Sequence, residues 1–111
     1  MQNGKILVVD DNKNALTALK MLLQLDYSTV VTLSNPNLIL SALEKDDFDL
    51  VLLDMNFSAG INTGNEGLYW LGEIRKYAPT TEVVMITAYG DVELAVKALK
   101  NGAAGTYVWQ L

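Results

Sequence analysis

The chain has 111 residues, half of them hydrophobic, with 8 basic against 13 acidic side chains and a net charge of −5; cysteine and histidine are absent. That excludes a disulfide framework, thiolate or imidazole metal sites, a thiol nucleophile and any histidine base or phosphodonor. An acidic chain with scattered lysines is a poor nucleic-acid binder, no run reaches membrane-span length, and Ile6 to Val9 is too short for a signal peptide, so one cytoplasmic domain is expected over residues 1–111.

Short apolar runs alternate with helical patterns. Ile6 to Val9 predicts a strand that stops at Asp10. Ala15, Leu16, Leu19, Leu22 and Leu23 then recur at helical spacing and predict a helix from about Lys13 to Leu25. Thr29 to Leu33 reads as a second strand. Asn35-Pro36, a cap followed by proline in the first turn, opens a helix that ends near Lys45. Asp46-Asp47-Phe48-Asp49 reads as a solvated turn.

Leu50 to Leu53 is a third, almost wholly apolar strand that ends at Asp54, and a polar, glycine-bearing loop follows from Met55 to Asn65. A helix is expected from about Glu66 to Tyr77, stopped by Pro79. Val83 to Ile86 is the fourth strand and meets Thr87. Asp91 caps the next helix, Gly102 ends it, and Thr106 to Trp109 forms a weaker fifth strand. Strands apolar on both faces belong in a parallel sheet covered by helices. The predicted fold is therefore α/β, a doubly wound five-stranded parallel sheet with right-handed crossovers.

Attention then falls on the strand ends: Asp10-Asp11 after the first, Asp54 after the third, Thr87 after the fourth. Ligands of open parallel sheets bind outside the carboxyl ends, where the strand order reverses. In the order 2-1-3-4-5, strands one and three are neighbours there, about 4.8 Å apart, so three carboxylates converge. Such a cluster repels itself unless a proton or cation intervenes. An all-oxygen donor set suits Mg2+, and a carboxylate beside that ion is suited to attack a phosphoryl group.

The segments Val8-Val9-Asp10-Asp11-Asn12, Leu52-Leu53-Asp54-Met55-Asn56, Met85-Ile86-Thr87-Ala88-Tyr89-Gly90 and Lys100-Asn101-Gly102-Ala103 together resemble the receiver domain of two-component response regulators, over Lys5 to about Val108. The resemblance implies a flavodoxin-like sheet in the order 2-1-3-4-5. Asp54 would be the phosphoacceptor, charged by a histidine kinase. Asp10, Asp11 and Asp54 would hold Mg2+, together with the backbone carbonyl of Asn56. Thr87 would be the switch hydroxyl, Ala88 would leave room for the phosphoryl group, and Tyr107 would be the switch aromatic. The chain would be a signalling phosphoacceptor rather than an enzyme, limited to self-phosphorylation from small donors and autodephosphorylation. It would control an effector domain or protein, transcriptional in kind, without binding nucleic acid itself.

Three departures stand out. The loop after Asp54 is longer than the family's, with Ser58 to Asn65 intervening before Glu66-Gly67-Leu68. The family's lysine after strand five is absent, its slot falling at Trp109 or Gln110. The last helix is also missing, so the domain reads as incomplete at its C-terminus, with apolar surface of the first helix and fifth strand expected to be bare. A longer parent protein, a partner or a homodimer would cover it. The competing readings are a receiver-like docking module that works without phosphorylation, and a phosphatase of the haloacid-dehalogenase type. The latter needs an aspartate two residues after its nucleophile, where this chain has Asn12 or Asn56.

Overall fold

The computed structural model describes residues 2–55, 65–87 and 92–108. Five strands and four helices alternate: β1 (Gln2–Val9), α1 (Lys13–Leu23), β2 (Tyr27–Leu33), α2 (Ile39–Lys45, preceded by a 3-10 turn at Pro36–Leu38), β3 (Leu50–Asp54), α3 (Asn65–Tyr77), β4 (Glu82–Thr87), α4 (Val92–Lys100) and β5 (Gly105–Val108). All pairings are parallel, and the strand order is β2-β1-β3-β4-β5. The predicted class, order and element sequence hold. Helix α1 ends at Leu23, short of the expected Leu25, with Gln24 as its C-cap. Strand β1 begins earlier than expected, because Gln2 pairs with Tyr27 across a register shift that the polar residues before Lys5 did not signal.

Successive side chains of a strand point to opposite faces, and the sheet sorts its apolar residues accordingly. Leu7, Val9, Val51, Leu53, Val83 and Met85 form one core with Ile39 and Leu43 of α2, Leu71 and Ile74 of α3, and Ala98 of α4. Ile6, Val8, Val30 and Ile86 pack on the other face against Leu16 and Leu19 of α1. On that face a groove of about 260 Å³ lies between Leu19, Leu22 and Leu23 of α1 and Ile6, Leu52, Val84 and Ile86 of the sheet. Bare apolar surface was expected on the first helix and the fifth strand. On the first helix it is present, Leu22 being 57% exposed. The groove runs across β1, β3 and β4.

The acidic turn 46–49 is not merely solvated. Phe48 is buried in the α2–α3–α4 core, and its carbonyl accepts a hydrogen bond from the buried Thr81 hydroxyl at 2.8 Å. Lys5 pairs with Asp46 at 2.7 Å through Nζ, and its backbone N–H donates to the Asp49 carboxylate at 2.8 Å. These bonds tie the turn to β1 at the amino end of the sheet, away from the strand ends that carry the carboxylates. Gly102, at φ +102°, ends the α4 region in a conformation side chains resist.

Candidate functional site at the carboxyl ends of the strands

Register builds the site. Val9 of β1 pairs with Leu53 of β3, so the next residue on each strand, Asp10 and Asp54, reaches the sheet edge side by side. Asp11 follows immediately. One carboxylate oxygen from each of Asp10, Asp11 and Asp54 lies within 4.8 Å of the others. Their environments differ: Asp10 is buried, Asp54 half-buried and Asp11 exposed.

Asp10 is held from two sides. Its N–H donates to the Leu33 carbonyl at 3.1 Å, and its Oδ1 accepts the Asn12 N–H at 2.9 Å. Burial raises the Asp10 pKa above the ordinary carboxylate value, and the like charge of Asp11 adds to the rise; the Asn12 amide and a hydrogen bond with Asp54 oppose it. Asn12 is a supporting residue that sequence reasoning left without a role. Its side chain caps α1, accepting from Asn14 N–H at 2.9 Å and Ala15 N–H at 3.1 Å, so the same residue starts the helix and orients Asp10. An asparagine directly before a helical pattern is the signal that could have found it.

Asp54 pairs with Ile86 of β4, so the Thr87 backbone lies one step past the acceptor on the neighbouring strand. Thr87 pairs in turn with Val108 of β5, and Tyr107 with Ile86. The structure thus brings Asp10, Asp11 and Asp54 together. It sets the Thr87 backbone on the adjoining strand and that of Tyr107 one strand further out. The side chains of Thr87 and Tyr107, and all of Asn56, Ala88, Asp91, Trp109 and Gln110, lie outside the described residues. On α4, Lys97 faces Glu93 across one turn at 3.7 Å.

Three clustered carboxylates offer hard oxygen donors within reach of one another, which fits a small divalent cation. Neutral or basic ligands are not needed for this, and the chain has no histidine or cysteine to supply softer ones.

The fold and this acidic edge define a class, the receiver domains that sit on doubly wound parallel sheets. The family model for the response regulator receiver domain matches residues 6–108, and the chain belongs to that family. It is 41% identical over 101 residues to the transcriptional regulatory protein ZraR of Klebsiella oxytoca, a match covering 88% of this chain and 21% of that protein. It is 35% identical over 101 residues to the response regulator protein FleR of Pseudomonas aeruginosa, covering 91% of this chain and 20% of FleR. The chain therefore spans about a fifth of the length of these relatives. Among solved structures, the N-terminal signal receiver domain of a two-component response regulator from Bacteroides fragilis superimposes with a TM-score of 0.86 at 44% identity, covering 98% of this chain and 88% of that one. The receiver domain of NtrX from Brucella abortus gives 0.85 at 30% identity, with coverages of 96% and 87%. No described helix is long and apolar enough to cross a membrane.

Proposed function

We propose that residues 1–111 form one cytoplasmic receiver domain in which Asp54 accepts a phosphoryl group from a histidine kinase and thereby switches a transcriptional effector. The observation that carries this reading is the convergence of Asp10, Asp11 and Asp54 within a chain of the receiver family. Asp54 is the half-buried member, at the end of a central strand, and its carboxylate oxygen is the nucleophile. A P–O bond forms to that oxygen as the P–N bond to the donor imidazole breaks, and the imidazole leaves with the bonding pair and takes a proton. Asp10 and Asp11, together with Asp54 and the Asn56 carbonyl, would hold Mg2+, which supplies neutralisation of charge on the phosphoryl oxygens. The Thr87 hydroxyl donates to a phosphoryl oxygen, and Ala88 leaves it space. The acyl phosphate carries a charge of about −1.5 to −2 where the carboxylate carried about −1, a net gain of at most about one negative charge, which biases the α4–β5 surface through Thr87 and Tyr107.

With the family lysine's slot at Trp109 or Gln110, the chain supplies one positive charge fewer at the transition state. Transfer is expected to be slowed rather than abolished, since loss of one fixed stabilising contact costs about 3–4 kcal/mol.

The test is intact mass after incubation with acetyl phosphate, with and without Mg2+, beside Asp54→Asn. A phosphoryl adduct that needs Mg2+ and vanishes in the variant is expected. A folded protein that binds Mg2+ yet gains no adduct overturns the reading in favour of a docking module that works without phosphorylation.

A further inference from the structure

The residue after the acceptor is gripped from three directions. Met55 is fully buried, its side chain packed into the core beneath α2, α3 and α4. Its N–H donates to the Ile86 carbonyl of β4 at 3.2 Å, and its carbonyl accepts the Gly67 N–H of α3 at 3.1 Å. The third grip is contact with the Gly67 backbone itself. A Cβ built on Gly67 would sit 2.4 Å from the Met55 Cα, 2.7 Å from its carbonyl oxygen and 2.9 Å from its carbonyl carbon. These are backbone atoms of a fully buried residue, with no flexible end to swing aside. Gly72, on the same helix, would meet nothing within 4 Å.

We propose that Gly67 is a positioning residue of the acceptor site: its bare Cα lets the first turn of α3 lie against the Met55 backbone, and that contact sets where the adjoining Asp54 carboxylate stands relative to Asp10 and Asp11. This rests on the receiver reading of the Asp10–Asp11–Asp54 cluster and extends it to how the cluster is held.

Added bulk at Gly67 must push the Met55 backbone away from α3. Asp54 is bonded to Met55, so it moves with it, and misplacement on the ångström scale is expensive in a site built for a small ion. Gly72→Ala removes a glycine from the same helix at a position with open space, so it reports the effect of helix propensity alone. Ile74→Val trims the buried face of α3 two turns along, so it reports loss of stability alone.

The experiment is Mg2+ titration by calorimetry and amide hydrogen exchange on the wild type and the three variants. For Gly67→Ala we expect the Mg2+ dissociation constant to rise about tenfold or more, with faster exchange at the Met55 amide in metal-free buffer. Gly72→Ala and Ile74→Val should leave both unchanged, although Ile74→Val lowers the melting temperature. A folded Gly67→Ala protein with wild-type Mg2+ affinity overturns the proposal, as does an equal loss in Ile74→Val. Should Gly67→Ala not fold, the wild type decides through reciprocity of coupling. Saturating Mg2+ must then slow exchange at Met55 and Gly67 more than at Ala78, at the far end of α3, and equal slowing overturns the proposal. A wild type that binds no Mg2+ sinks the receiver reading and the positioning role with it. The metal-free exchange of Met55 in Gly67→Ala then still shows whether the backbone contact exists.

Discussion

The two faces of the sheet are built from the same strands, often from adjacent residues, yet they are finished differently. On one face α2, α3 and α4 seal a continuous core from Leu7 to Ala103. On the other, α1 covers Ile6, Val8 and Val30 but leaves a groove running over Leu52, Val84 and Ile86. The strand pattern is equally apolar on both. A strand pattern thus reports which residues a sheet offers for burial, while the number of helices laid on each face decides how many are buried.

Leu53 and Leu52 make the sharpest test, being neighbours on β3 that point opposite ways. Leu53 is fully buried in the sealed core, so Leu53→Ala should cost about 2–5 kcal/mol in chemical denaturation. A cost near zero would mean that the sealed face is looser than its packing implies.

The rim where the faces meet gives an effect of opposite sign. The folded-state pKa of Asp10 is raised, chiefly by burial. The native protein therefore binds that proton more tightly than the unfolded chain does. Stability from this group is present at low pH and lost as pH rises through the folded value, so at neutral pH ionised Asp10 destabilises the metal-free fold. Asp10→Asn should raise the melting temperature in chelator at neutral pH, with the gain shrinking as pH falls toward the ordinary carboxylate range. Mg2+ should stabilise the wild type and not the variant. A variant no more stable than wild type in chelator would remove burial as the governing cause.

Leu52→Ala should cost only about 1 kcal/mol, because the partly buried Leu52 returns little apolar area to water. A cost matching that of Leu53→Ala would show that the groove is closed in solution, and sedimentation would then tell whether a second copy closes it. Smallest of all, Leu22→Lys on the exposed edge of α1 should change stability by no more than about 0.5 kcal/mol. It should also lower binding of a hydrophobic dye, and an unchanged dye signal would place the accessible apolar surface elsewhere.

Much of this was legible beforehand, for physical reasons that differ from element to element. Ala15, Leu16 and Leu19 advertise α1 because a helix buries one stripe. Leu50 to Leu53 advertises a central strand because it offers apolar residues to both faces of the sheet. Asp10, Asp11 and Asp54 were legible as a cluster because the strand order makes β1 and β3 neighbours. The burial of Phe48 inside an acidic turn was not legible, since its pocket is made by residues distant in the chain. The capping side chain of Asn12 had a sequence signal, but the bond from its backbone N–H to the Asp10 carboxylate had none.

What the sequence by itself determined is the set of local choices: the period of each element, the residue that ends each strand, and the oxygen-only chemistry open to a chain without histidine or cysteine. These follow from side-chain type and spacing along the chain. The tertiary structure decided which of three aspartates is buried and therefore resists ionisation. It also decided that Gly67 must lack a side chain, and that one face of an evenly apolar sheet is sealed while the other is grooved. Each of those depends on groups that meet only when the crossovers bring separate strands and helices together, and no local pattern encodes the distance between them.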